Sequence, residues 1–151
     1  QATKRIMSEW RNLMESPPPW TIAAPAGDDL GRWRGFILGP PHTPYSGGAF
    51  EIEVVFPPDY PIKPMSARFI TRIFHPNVTE MGIVIIGPLT KEAWSPVQTI
   101  SHILMHITSI MIEPVEPFDC EELSSERETL FVLDRRAFDE KAKDWTEKYA
   151  V

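Results

Sequence analysis

The sequence predicts an α+β fold in a single domain over residues 1–151: an N-terminal helix, a four-stranded antiparallel meander, then C-terminal helices. Apolar residues recur at helical spacing near both ends of the chain, whereas Phe50, Ile52, Val54 and Phe56 recur with period two. Prolines and glycines separate these stretches into short segments, as the turns of a meander require.

Residues 2–15, "ATKRIMSEWRNLME", place Ile6, Trp10, Leu13 and Met14 at helical spacing, and Pro17-Pro18-Pro19 stops the helix. "GRWRGFILG" (31–39) reads as a first or second strand, closed by Gly39-Pro40-Pro41. A turn at Gly47-Gly48 leads into a half-buried antiparallel strand, with Phe50, Ile52, Val54 and Phe56 facing the core and Glu51 and Glu53 facing solvent. "PPDYPIKP" is a proline-rich turn in which the Tyr60-Pro61 bond is a good candidate for cis, and "SARFITRI" (66–73) reads as another short strand. Further on, Ile100, Ile103, Leu104, Ile107, Ile110 and Met111 mark a helix with Thr99 as its N-cap and Pro114 and Pro117 beyond its end. The acidic segment 113–128 reads as a loop or weak helix. Asp134 then opens a terminal helix carrying Phe138, Ala142, Trp145 and Tyr149 on one stripe.

Bulk properties narrow the function classes. A net charge of −6 argues against general nucleic-acid binding, which relies on basic surface. No apolar run approaches the ~20 residues of a membrane span, and residues 1–15 mix charged and apolar types, unlike a signal peptide. The single cysteine, Cys120, fits a reducing compartment, so a cytoplasmic or nuclear location is expected. No cofactor is implied and no metal site is expected: His102 and His106 are four apart on a helix but lack a third ligand, and read as solvated side chains.

Six fragments in order carry a resemblance that covers nearly the whole chain: "KRIMSEW", "WRGFILGPPHTPYSGGAF", "FPPDYPIKP", "FITRIFHPNV", "WSPVQTISHIL" and "AKDWTEKYA". Together they resemble the ubiquitin-conjugating enzyme family and imply its UBC-like fold. In that family a cysteine follows the motif histidine and accepts ubiquitin as a thioester, since a thiolate is a good nucleophile whose thioester stays reactive toward an amine. Here the count of ten forward from His75 lands on Ile85, and the count of eight back from Trp94 lands on Ile86. Neither side chain can become a nucleophile. The loop motif itself, His75-Pro76-Asn77, is retained. The resemblance allows Asn77 two roles, an electrostatic helper at a developing oxyanion or a holder of the loop, and loss of the cysteine favours the second.

The chain thus resembles the catalytically silent ubiquitin-conjugating enzyme variants, although it keeps the His-Pro-Asn motif and the last helices that many of those lack. This reading makes it a binding or regulatory module in ubiquitin or ubiquitin-like transfer, whose partners are the modifier, an active conjugating enzyme or a RING-type ligase. An active enzyme is the alternative, either through Cys120 or with a natural cysteine that is isoleucine here. Isoleucine is an unusual engineered choice at such a position, and Asp119, Glu121 and Glu122 disfavour a Cys120 thiolate. A peptide-binding module on the same fold is a further alternative. The ligase-docking surface of the family maps to Arg5, Ile62, Lys63, Ser95, Pro96 and Val97, and an activating enzyme would compete near Lys4, Arg5 and Arg11. Ile22 with Glu51 and Glu53 would correspond to a second ubiquitin contact, on family analogy alone.

Overall fold

In a computed structural model that describes residues 2–115 and 125–151, the chain begins with helix α1 (Ala2–Glu15). Strands β1 (Thr21–Ala26), β2 (Asp29–Leu38), β3 (Ala49–Val55) and β4 (Ser66–Phe69) follow, and then helices α2 (Ile100–Ile112), α3 (Ser125–Leu133) and α4 (Arg135–Tyr149). The sheet order is β1-β2-β3-β4, every pair antiparallel, so the predicted meander is the one observed.

The period-two pattern of β3 buries Phe50, Ile52, Val54 and Phe56, and β2 adds Trp33 and Ile37 to the same layer. On the outer face the expectation fails at Glu53, which is buried. Arg68 donates to it from β4 at 2.9 Å and Arg32 from β2 at 3.2 Å, with Arg34 at 3.5 Å, so three guanidinium groups cover one carboxylate.

β1 is the strand that the pattern misses. "TIAAPA" has no alternation and contains Pro25, which lacks a ladder donor; the strand lies at the sheet edge, where that loss is tolerated. β4 is shorter than the expected 66–73. Ile70 and Thr71 turn their N–H groups onto the Glu51 carbonyl at 2.8 and 3.3 Å, and the ladder stops there.

α1 buries Ile6, Glu9 and Leu13, and Trp10 meets Trp33 edge-on with centroids 6.3 Å apart. Met14 is exposed, contrary to the stripe read from sequence. At about 100° per residue it lies roughly a quarter turn from the centre of the buried face.

The α2 cap is as expected but more elaborate. Thr99 Oγ1 accepts from the His102 N–H, and His102 Nδ1 accepts from the Thr99 N–H, each at 3.3 Å. This is a capping box with histidine in the usual glutamate role. His102 is therefore a capping side chain, and His106, four residues on, is half-buried. Asp134 caps α4 by accepting from the Ala137 N–H at 3.1 Å. Within the segment 113–128, the residues from Ser125 onward are helical, while Cys120 lies outside the described residues. No helix among the described residues is long and apolar enough to cross a membrane.

Candidate functional site

The His-Pro-Asn loop is built from the inside. His75 is completely buried, with its Nδ1 accepting from the Asn77 N–H at 2.9 Å and its Nε2 lying 2.7 Å from the Ile110 carbonyl. An accepting Nδ1 fixes the tautomer: the proton is on Nε2 and is donated to the last turn of α2. Burial pushes the imidazole pKa down to about 4, and the nearby Arg127 and Arg135 charges act in the same direction. His75 is thus a neutral strut between loop and helix.

Asn77 is also buried, and its side chain bridges to the chain just beyond α2. Oδ1 accepts from the Val115 N–H at 3.2 Å, and Nδ2 donates to the Val115 carbonyl at 3.4 Å. The Asn77 backbone carbonyl accepts from the Ile85 N–H at 2.8 Å, joining the two arms of the loop. Between those arms, Val78 pairs with Val84, and a tight turn closes from Thr79 to Gly82. Gly82 has φ +90°, and a Cβ there would stand 2.1 Å from the Phe69 carbonyl oxygen, so the turn accepts only glycine.

At the loop's centre the two isoleucines part company. Ile86 is entirely buried in the core, whereas Ile85 is half-buried and reaches the surface. The 3-10 turn Gly87–Leu89 follows directly. A side chain at 85 can meet a macromolecular substrate, but one at 86 cannot.

The residues expected to dock a ligase come together at the other end of α2, held by a residue that sequence reasoning missed. Glu9 is 4% exposed, and its carboxylate accepts from the Ile100 N–H at 2.7 Å, the Tyr60 hydroxyl at 2.5 Å and Arg5 Nε at 2.5 Å. It thereby sits at the positive end of the α2 dipole and joins α1, the Tyr60 turn and α2. Its signal in the sequence is only a carboxylate at the centre of the Ile6–Leu13 stripe. The same contacts push the Tyr60 hydroxyl pKa up, chiefly through burial and then through the Glu9 charge.

Arg5 reaches across to the Pro96 and Gln98 carbonyls at 2.6 and 2.8 Å, and Trp94 Nε1 donates to the Pro61 carbonyl at 2.9 Å. The Tyr60-Pro61 bond is cis. Ile62 and Val97 project from the two joined loops at 75% and 79% exposure, flanked by exposed Pro96 and by Lys63, which lies 3.7 Å from Asp59, while Ser95 is half-buried. Arg5 belongs to the support of this patch more than to its surface. On the outer sheet face, Ile22 lies opposite Phe36, both exposed, whereas Glu53 is withdrawn beneath its arginines.

A helix, a four-stranded meander and following helices, with a buried His-Pro-Asn loop tied to the end of α2, define a UBC-type domain. The chain matches the ubiquitin-conjugating enzyme family profile over residues 5–146, and it belongs to that family. Among solved structures it is similar to the E2 domain of a ubiquitin-conjugating enzyme from Toxoplasma gondii, with 34% identity, a TM-score of 0.86 and complete coverage of both chains.

Proposed function

We propose that this chain is a non-catalytic ubiquitin-conjugating enzyme variant, acting as a binding or regulatory module in ubiquitin or ubiquitin-like transfer. The observation that carries the reading is Ile85. It is the member of the isoleucine pair that reaches the surface of the loop, and an alkyl group there cannot form a thioester. Asn77 supports the reading, since its amide oxygen and nitrogen are both engaged with Val115 and act as loop braces. The Ile62–Val97 patch suits a RING-type ligase: two exposed apolar side chains on loops joined by the Trp94–Pro61 hydrogen bond make a small, transient interface. Occupying a ligase, pairing with an active conjugating enzyme and holding the modifier are the activities such a module performs.

A charging assay with ubiquitin-activating enzyme, ATP and ubiquitin tests the proposal, read on a non-reducing gel beside an active conjugating enzyme. The native chain is expected to form no thiol-sensitive adduct, and Ile85→Cys to gain one if the loop keeps its geometry. An adduct on the native chain that disappears in Cys120→Ser would overturn the proposal and make Cys120 the nucleophile.

A further inference from the structure

Between residues 68–73, the turn at 79–82 and helices α3 and α4 lies a cavity of about 90 Å³. That is several times the ~10–15 Å³ that one water requires. Arg127 of α3 forms part of its wall and is 3% exposed. One terminal nitrogen donates to the Ile73 carbonyl at 3.1 Å, and the guanidinium lies against the Phe74 and Trp145 rings at 5.3 and 5.4 Å. Its Nε–H is buried and has no acceptor among the described residues. A buried cationic donor left without an acceptor is a costly group for a fold to keep. Burial lowers the Arg127 pKa, with the charges of Glu80 and Glu126 opposing.

The rest of the wall also donates. Arg72 stacks on Trp145 and Tyr149 at 5.0 and 4.9 Å and has no carboxylate partner among the described residues. Thr71 Oγ1 accepts from the Glu51 N–H at 2.8 Å, and Thr79 Oγ1 accepts from the Ile83 N–H at 3.0 Å. Each hydroxyl therefore retains its own proton to donate. Arg68 lines a further side, its Nε already directed to Glu53. Among the described residues the acid lining the cavity is Glu80, which is exposed at the rim.

We propose that this cavity is a binding site for a phosphate-class oxyanion, inorganic phosphate or a phosphate monoester, held by Arg127 Nε and the Arg72 guanidinium with the hydroxyls of Thr71 and Thr79. The donors arrive from three separate elements, and a tetrahedral dianion offers more acceptor positions to meet them than a planar carboxylate does. The site is independent of whether Ile85 has displaced a nucleophile. It does touch the same loop: the Thr79–Gly82 turn is the tip of the two arms joined by Asn77 and Ile85, so a bound anion tethers that tip to α3.

The test is a titration of the ¹⁵N-labelled full chain, observing backbone amides and arginine Nε–Hε signals, with phosphate, O-phosphoserine or acetate at constant ionic strength. Phosphate is expected to give saturable shifts at Arg127 Nε–Hε and at the amides of 79–82. Saturation by phosphoserine as well identifies a monoester as the ligand, and saturation by phosphate alone identifies the free anion. Arg72→Gln is expected to weaken binding about tenfold, and Glu80→Gln to tighten it by a few-fold. Both residues are exposed, so neither variant threatens the fold. No saturable shift with any ligand would mean that water fills the cavity and would overturn the proposal. So would acetate matching phosphate, or Arg72→Gln leaving the affinity unchanged.

Discussion

Replacing Glu9 by alanine removes the acceptor on which three donors converge, and the cost can be worked from its partners. The Ile100 N–H and the Tyr60 hydroxyl are both buried in these bonds, at 2.7 and 2.5 Å. Each would be stranded at a cost of ~1–3 kcal/mol. Arg5 adds little. It is 28% exposed and keeps the Pro96 and Gln98 carbonyls, so its share is ~0–1 kcal/mol after solvent screening. The expected loss is about 3 kcal/mol, equivalent to ~6–12 °C in Tm for a domain of this size. Glu9→Gln keeps the shape and one good acceptor, and should cost ~1–2 kcal/mol. Urea unfolding of the native chain, both variants, Tyr60→Phe and the Glu9→Ala/Tyr60→Phe double variant measures these values and the coupling between the two residues. If Glu9→Ala loses less than ~1 kcal/mol, or the cycle gives no coupling, then the convergence of α1, the Tyr60 turn and α2 on this carboxylate is not what holds that corner.

Three further outcomes follow from charge and exposure. His75 has a folded pKa of about 4 against 6.5 for the free side chain, so the unfolded chain binds more protons between those values. Its contribution to stability is complete above pH ~6.5 and is lost progressively as pH falls toward ~4, by up to about 3 kcal/mol. In an NMR titration its ring signals should stay those of the neutral tautomer through pH 6, and a midpoint near 6.5 would contradict the buried strut. For Glu53, burial raises the carboxyl pKa, but the hydrogen bond from Arg68 and the charges of Arg68, Arg32 and Arg34 outweigh it and hold the value below 4.5. Glu53→Gln should therefore cost about 1 kcal/mol at pH 7 once screening of the half-exposed arginines is counted, and the difference should shrink as pH falls below ~4.5 in paired denaturation curves. Ile62→Asp and Val97→Asp should leave Tm within ~2 °C, because both side chains are already in solvent. The same changes should abolish binding to a RING-type ligase domain in titration calorimetry, and binding that survives both would place the interface elsewhere.

Periodicity alone was enough for the elements that bury a continuous face. The alternation of Phe50, Ile52, Val54 and Phe56 and the stripe from Ile100 to Met111 are both core in the folded chain, since burying either pattern admits one backbone period. The caps Thr99 and Asp134 were legible for a similarly local reason: each satisfies N–H groups within three residues of itself. The His-Pro-Asn motif could also be read directly, and counting from His75 and Trp94 pointed to Ile85 or Ile86.

What tertiary structure decided depends on partners distant in sequence. β1 has no pattern of its own and exists because β2 offers it a ladder, with Pro25 tolerated only at an edge. Glu53 alternates as a solvent-facing residue should, yet arginines from two neighbouring strands close over it. Glu9 looks like an ordinary helix carboxylate until Tyr60 and Ile100, 51 and 91 residues away, bring it their hydrogens. Counting along the chain returned both Ile85 and Ile86, and only the fold separates them, burying Ile86 in the core and bringing Ile85 to the surface. Arg127 carries no motif; that its Nε has no acceptor among the described residues became visible only when α3 came to lie beside Ile73 and the 79–82 turn. Local pattern determines which face of an element is apolar, because that depends only on backbone period. Which polar group meets which depends on long-range closure of the chain, and both the supports of the site and the cavity beside it are made of such meetings.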